Sequence, residues 1–283
     1  MKTTKLLILL ALALSLMACT FSVNVPEVKT GQTRTFEVSE ASPPAEEVSS
    51  IKIEMGAGSL NLSGGADKLV EGTITYNIDS WKPGVTRQGN AVTIKQSTST
   101  SVAIPADTYK NSWDLKLGST PIELTLATGA YEGDLELGGL AITALSVTDG
   151  ASKSIIRFNE PNAANLEQFS YKTGASDVRL EGLGNARASH IEFNGGVGRY
   201  TLDFSGINDN DIAVKMDCGM SDITLVIPEN VRSIITINGE MNNTNFTGTW
   251  TVKDNVYQSG TAGALIEIEI DMSVGNLNLI RHE

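Results

Sequence analysis

The chain writes one short phrase again and again. "TGASDVRLEGLG" (Thr173–Gly184) and "CGMSDITL" (Cys218–Leu225) share the order Gly, apolar, Ser, Asp, branched aliphatic, polar, Leu. Aligned on the glycine, copies stand at Gly56, Gly129, Gly150, Gly174, Gly196, Gly219 and, with serine in its place, Ser273. A degenerate copy, "ITINGEM" (Ile235–Met241), lies between the last two. From Gly129 to Gly219 the steps are 21, 24, 22 and 23 residues. Self-similarity at a near-fixed period of this size marks stacked repeats, in which each unit buries its apolar face only against its neighbours.

The columns of this alignment define the strands. One residue past the anchor stand Ala57, Ala130, Ala151, Ala175, Val197, Met220 and Val274, and six past it Leu62, Leu135, Ile156, Leu180, Leu202, Leu225 and Leu279. Three and five before it stand pairs such as Leu126 and Leu124, Tyr171 and Phe169, Met216 and Val214, with polar Thr125, Lys215, Glu267 and Glu269 at alternate positions. That is period-two alternation with one face buried. Phe169 and Tyr171 share one parity, Val178 and Leu180 the other, and a parity change flips a straight strand's side chains to the opposite face. The chain is therefore expected to bend at each anchor, where Gly and small neighbours such as Ser152, Ser176 and Ser221 supply the backbone angles of a corner. A second break is expected at Gly138-Gly139, Gly182-Leu183-Gly184 and Ser205-Gly206.

The predicted fold is all-β, a single-stranded β-solenoid-like stack of ~22-residue repeats with coils ~4.8 Å apart. The alternative is an antiparallel β-hairpin meander, because Asp149-Gly150 and Asn194-Gly195 are also hairpin signals. Like residues above like favour the stack. The last copy, Ile266 to Ile280, is read as the terminal edge. Either Glu267, Glu269 and Asp271 protect it or another chain docks there by strand addition.

Lys2 and Lys5 flank an apolar run, Leu6 to Leu16, which is too short to span a bilayer and ends in Leu16-Met17-Ala18-Cys19. This resembles a bacterial lipoprotein signal, in which cleavage leaves Cys19 as the lipidated first residue. Residues 1–18 are thus expected to be a signal peptide and 19–50 a lipidated Cys followed by a tether, with one strand in "TRTFEV". Residues 51–120 form an N-terminal β region with strands about a Lys82-Pro83-Gly84 turn, and 121–283 the repeat array. The best loop is the polar stretch Ser97 to Ser112. Without residues 1–18 the chain has 19 basic and 33 acidic residues, and its balance moves from −12 to −14. Such a charge argues against nucleic acid and against electrostatic docking on anionic lipid. With Cys19 lipidated, Cys218 has no disulfide partner; it reads as a small residue at a corner.

"IKIEMGAGSLNLSGGADKLVEGTITYN", the following P-G-V and V-T-I-K-Q, and "TGASDVRLEGLGNARASHIEFNGGVGRYTLDFSG" resemble the toast-rack family of bacterial envelope proteins. The C-terminal array is similar to adhesin-type and LiaF-like domains, the latter linked to cell-wall-antibiotic responses. The resemblance implies an all-β, solenoid-like fold outside the cytoplasm and carries over no catalytic or ligand residue.

Chemistry is sparse. His190 and His282 are the only histidines, and neither lies in a base or metal motif. No G-x-S-x-G or Walker phrase occurs, and the G-x-G pairs lack a strand–Gly–helix setting. The column three past the anchor reads Ser59, Glu132, Lys153, Asp177, Arg199, Asp222, Asn276, mixed signs that suit a solvated face with cross-rung pairs rather than a carboxylate pair for polysaccharide cleavage. Asn208, Asp209 and Asp211 form a weak Ca²⁺ candidate in a turn, without the spacing of a Ca²⁺ loop. The expectation is a non-catalytic envelope lipoprotein without cofactor. It would be held to the membrane through Cys19 and meet an envelope protein or cell-wall glycan; a stress-response partner and a polysaccharide-active enzyme are the alternatives.

Overall fold

The computed structural model describes residues 30–44, 47–97, 108–207 and 209–282, with the backbone alone at 240–242. Its strands are β1 (Arg34–Glu40), β2 (Ser49–Gly64), β3 (Val70–Tyr76), β4 (Pro83–Gln88), β5 (Ala91–Gln96), β6 (Asn111–Leu117), β7 (Ile122–Glu136), β8 (Ile142–Arg157), β9 (Leu166–Glu181), β10 (Ala188–Asp203), β11 (Ile212–Pro228), β12 (Arg232–Thr247), β13 (Thr251–Lys253), β14 (Val256–Ser259) and β15 (Leu265–His282). Among the described residues a 3-10 turn, Asp79–Trp81, interrupts them.

The long strands β2, β7, β8, β9, β10, β11, β15 and β12 follow one another in that order, all parallel. This is the solenoid stack, not the hairpin meander. Leu62, Leu135, Ile156, Leu180, Leu202, Leu225 and Leu279 lie opposite one another in register, each almost wholly buried. Asp149-Gly150 and Asn194-Gly195, which read locally as hairpin turns, sit in the middle of β8 and β10.

Each long strand is bent double. Phe193 and Tyr200 belong to the same strand, yet their ring centroids are 4.8 Å apart; seven residues of straight strand would separate them by roughly 23 Å. In β9 the buried residues flanking the bend are Phe169 and Tyr171 before it and Ser176, Val178 and Leu180 after it, the parity change read from the sequence. The two arms of every rung therefore face each other across one core. Ser154 Oγ, on the second arm of β8, meets Tyr171 OH, on the first arm of β9, at 2.7 Å. Leu137, Phe158, Leu183 and Phe204, just past the strand ends, are buried at the mouths of their rungs.

The anchor glycines serve a different purpose from the one expected. Gly129, Gly150, Gly174, Gly196 and Gly219 do not take positive φ. Instead a Cβ on Gly174 would lie 2.4 Å from the carbonyl oxygen of Gly150, one on Gly196 2.4 Å from that of Gly174, and one on Gly219 2.5 Å from that of Gly196. Corner carbonyls point along the stack into space that only glycine leaves open. Backbone freedom matters at the second break, where Gly182 has a φ of 72°. Gly174→Ala should consequently lower stability by about 1–3 kcal/mol, the usual cost of overpacking; denaturant titration reads this directly.

The ends of the stack depart from chain order. β5 pairs with the first arm of β2 and β6 with its second, so together they make one rung interrupted in sequence between Gln96 and Asn111. Gln96 and Asn111 close its corner. Gln96 Oε1 accepts from Gly56 N at 2.9 Å, and Asn111 Nδ2 donates to Ala57 O at 2.6 Å and to Gln96 Oε1 at 2.8 Å. The corner groups of Gly56 and Ala57 are thereby satisfied by two side-chain amides. β4 then covers β5, and β3 and β1 cover β6. Pro83 and Gly84 open the edge strand β4 instead of forming a turn; the β4–β5 turn is at Gly89 and Asn90. Of the expected loop, 98–107 lie outside the described residues.

At the other end β15 is not terminal. It inserts between β11 and β12, paired along both edges, so neither edge protection nor strand addition applies to it. The degenerate copy in β12 is the outermost rung, which explains its degeneracy. It has only one neighbour to match. The antiparallel hairpin β13–β14 covers its first arm only.

Candidate interaction ridge

The bends align into a ridge running the length of the stack. Two positions of each corner face outward, the anchor and the residue after it, because the inward set ends one residue before the anchor and resumes two after it. Hence Ala130, Ala151, Ala175, Val197 and Met220 are exposed, with Val197 and Met220 at 55% and 60%. In sequence this column is apolar and shares the parity of the buried residues before the anchor. The bend turns it out. Its members are in register from Ala57 through to Val274, five inter-strand steps or ~24 Å from β7 to β15.

Beside it runs a column of alternating charge, Glu132, Lys153, Asp177, Arg199 and Asp222, likewise in register. Arg199 pairs with Asp177 at 3.2 Å, and Asn276 Nδ2 donates to Asp222 Oδ1 at 2.6 Å. Glu132 and Lys153 form no ion pair among the described residues. They border an open groove of about 740 Å³ whose walls include Tyr109, Lys110, Ala130, Ala151 and Ala175.

Behind the ridge is a buried polar knot that the sequence did not disclose. Asp149 is almost fully buried. Its Oδ2 accepts from Ser152 Oγ at 3.0 Å and Tyr171 OH at 2.8 Å, its Oδ1 from Ser176 Oγ at 3.1 Å and from Thr173 Oγ1. Four hydroxyls from two rungs thus satisfy one carboxylate, which locks β8 to β9 at the bend. Asp149 was legible only as half of a turn dipeptide. Tyr131 and Tyr171, with Tyr200 and Cys218 further along, line the same interior edge.

Burial pushes the Tyr131 and Tyr200 phenols up to about 12, the Tyr171 phenol well above its ordinary 10.0, and the Cys218 thiol from 9.0 to about 12. Raised acid values mean that unfolding releases protons at high pH. The stability that Tyr131, Tyr200 and Cys218 contribute is fully present below pH 9.0 and lost as pH rises through about 12, and burial of Tyr171 acts in the same direction. The melting temperature should therefore fall across that window, with tyrosinate absorbance from the buried phenols arriving together with loss of the β-sheet circular-dichroism signal. Ionisation of those phenols ahead of unfolding would contradict their placement.

A second concavity, about 510 Å³, lies on the outer face of the first arms, floored by Ala213 and rimmed by His190, Glu192, Lys215, Glu267 and Glu269. His190 has Gln168 and Ala213 opposite it, so neither a serine nor an aspartate flanks it in register, and Lys215 separates Glu192 from Glu269. His282 ends β15 opposite Pro228. Asp211 is exposed and its Oδ1 accepts the Leu265 N–H at 2.7 Å, while Asp209 is exposed nearby and Asn208 lies outside the described residues. Among the described residues no group of three or more His, Cys, Asp or Glu could hold a metal ion. Cys19 also lies outside them, and no helix among them is long and apolar enough to cross a membrane.

The N-terminal domain of toast_rack, DUF2154, matches residues 27–169, half of the chain. The chain belongs to the toast-rack family. In this toast-rack protein the matched stretch runs from ahead of β1 into β9, including the first-arm and second-arm covers of β2. No curated protein matches the chain. Among solved structures it is similar to a candidate cell adhesion protein from Clostridium sporogenes, 21% identical, with 89% of this chain and 100% of that one covered and a TM-score of 0.46. A candidate adhesin from Bacteroides fragilis is 12% identical over 89% and 99% of the two chains, TM-score 0.36. A candidate lipid-binding protein from Parabacteroides distasonis is 10% identical over 91% and 100%, TM-score 0.34.

Proposed function

We propose that this toast-rack protein is a non-catalytic scaffold of the cell envelope, lipid-anchored through Cys19, whose corner ridge binds an extended envelope partner. One observation carries the reading. The ridge exposes a straight, in-register apolar ladder that folding does not require to be apolar, since Val197 and Met220 project outward. Contiguous exposed apolar surface with a polar border is a mark of interaction sites. The glycine ladder beneath holds its spacing fixed, so a partner that repeats along its length, such as a cell-wall glycan or an elongated protein face, gains at each rung.

The test is photo-crosslinking in living cells from Val197 or Met220, with Glu160 on the opposite margin of the stack as control. The reading expects one dominant product from both ridge positions, absent from Glu160 and lost on Ala175→Glu without a change in melting temperature. Equal labelling from Glu160 would remove the ridge from the account. Metabolic labelling with an alkyne fatty acid, abolished by Cys19→Ala, tests the anchor separately.

A further inference from the structure

The stack has four arm ends, and three are finished defensively. β4 starts with Pro83 and carries Arg87; β1 carries Arg34, Glu37 and Glu40; β13 is three residues long and ends in Lys253. Charges, proline and shortness are the ordinary guards of a sheet edge. The second arm of β12 carries a charge only at Glu240, beside the bend, where its register against β15 also shifts twice. From Asn243 to Thr247 it reads Asn, Thr, Asn, Phe, Thr, pairs only with β15, and carries no charge. Its inward positions, Thr244 and Phe246, continue the columns of the buried Leu277 and Leu279, yet Phe246 is left 49% exposed. Its ring meets Tyr257 of β14 edge-on at 6.2 Å and Trp250 Nε1 donates to Thr247 O at 3.0 Å, so this end is partly covered, but about half of Phe246 is not.

We propose that this edge accepts a strand from a second copy of the chain, the segment Phe21–Val25. That segment lies outside the described residues; the inference uses its sequence alone. Phe21, Ser22, Val23, Asn24 and Val25 alternate strictly, uncharged, and stop at Pro26, which is the pattern of a half-buried strand. Two of its three apolar residues would cover Thr244 and Phe246, and its backbone would pair with the groups of this arm that β15 leaves without a strand partner. An uncharged donor on an uncharged edge adds no local repulsion to that between two anionic copies.

Reach makes the partner a second copy. β1 and β12 are ten inter-strand steps apart in the sheet, ~48 Å. The nine residues from Val25 to Arg34 span at most ~32 Å when fully extended.

The test uses the full chain in membranes. Two differently tagged copies, one with Asn24→Cys and one with Asn245→Cys, are co-produced and treated with a short thiol crosslinker; the native Cys218 is buried. The expected product is a crosslink between the two tags, reduced at least tenfold by Val23→Asp in the first copy while the melting temperature stays unchanged. Absence of that product, an undiminished yield with Val23→Asp, or crosslinking within one chain when both cysteines are placed on it would each overturn the proposal. The ridge is untouched by these substitutions, so failure here is separable from failure of the proposed function.

Discussion

Leu180→Asp should abolish cooperative folding. Leu180 is fully buried, with Ile156 below it and Leu202 above it in the column. The substitution forfeits about 1.5–3 kcal/mol of aliphatic burial and places a carboxylate where no cation or hydrogen-bond donor awaits it, a larger cost. Together these rival the ~5–15 kcal/mol that holds a typical domain folded. Leu180→Ala should act through the first mechanism alone and cost ~2–5 kcal/mol. Thermal circular dichroism of both variants separates the cases: a shifted but cooperative transition for alanine, none for aspartate. An aspartate variant that melts like the parent would mean that position 180 is not in the core.

Ending the chain before Leu265 should be comparably severe, although it removes only the last strand. β15 supplies the buried side chains of Ile266, Ile268, Ile270, Met272, Leu277 and Leu279 and bonds on both edges. At ~1.5–3 kcal/mol each these six are worth roughly 9–18 kcal/mol, an upper figure because the unfolded chain is already partly collapsed. Its loss leaves β11 and β12 facing an empty slot one strand wide. Limited proteolysis should then cut within residues 207–264 while the N-terminal rungs resist. A shortened chain as protease-resistant as the parent would contradict the inserted position of β15. A terminal strand, by contrast, would be removable at the cost of one edge only.

Much of this architecture was legible in the residues. The leucine column predicts the stack, and the parity change between Tyr171 and Val178 predicts the bend. The order of rungs was not legible, because like residues lie over like whichever copy is neighbour to which. Sequence order thus placed β15 at an edge that β12 occupies, and hid the rung made by β5 and β6, whose halves are separated by the stretch between Gln96 and Asn111. Parity alone also could not place the column from Ala57 to Val274. Alternation along a strand specifies faces only while the strand is straight, and at the bend two successive residues point outward. Asp149 was invisible as a buried group, since its four hydroxyl partners come from two rungs and no spacing links them. The ridge was legible as a list of apolar residues but not as a surface.

The most direct test of the parallel, in-register stack is a set of paired cysteines at constant offset. In β9 and β10, Ala175 lies opposite Val197, Asp177 opposite Arg199 and Arg179 opposite Thr201. Each pair, introduced separately as cysteines and treated with a short bifunctional thiol reagent, should close within the chain at a similar rate. Antiparallel arms would bring at most one of the three pairs together, and closure of only one would contradict the stack.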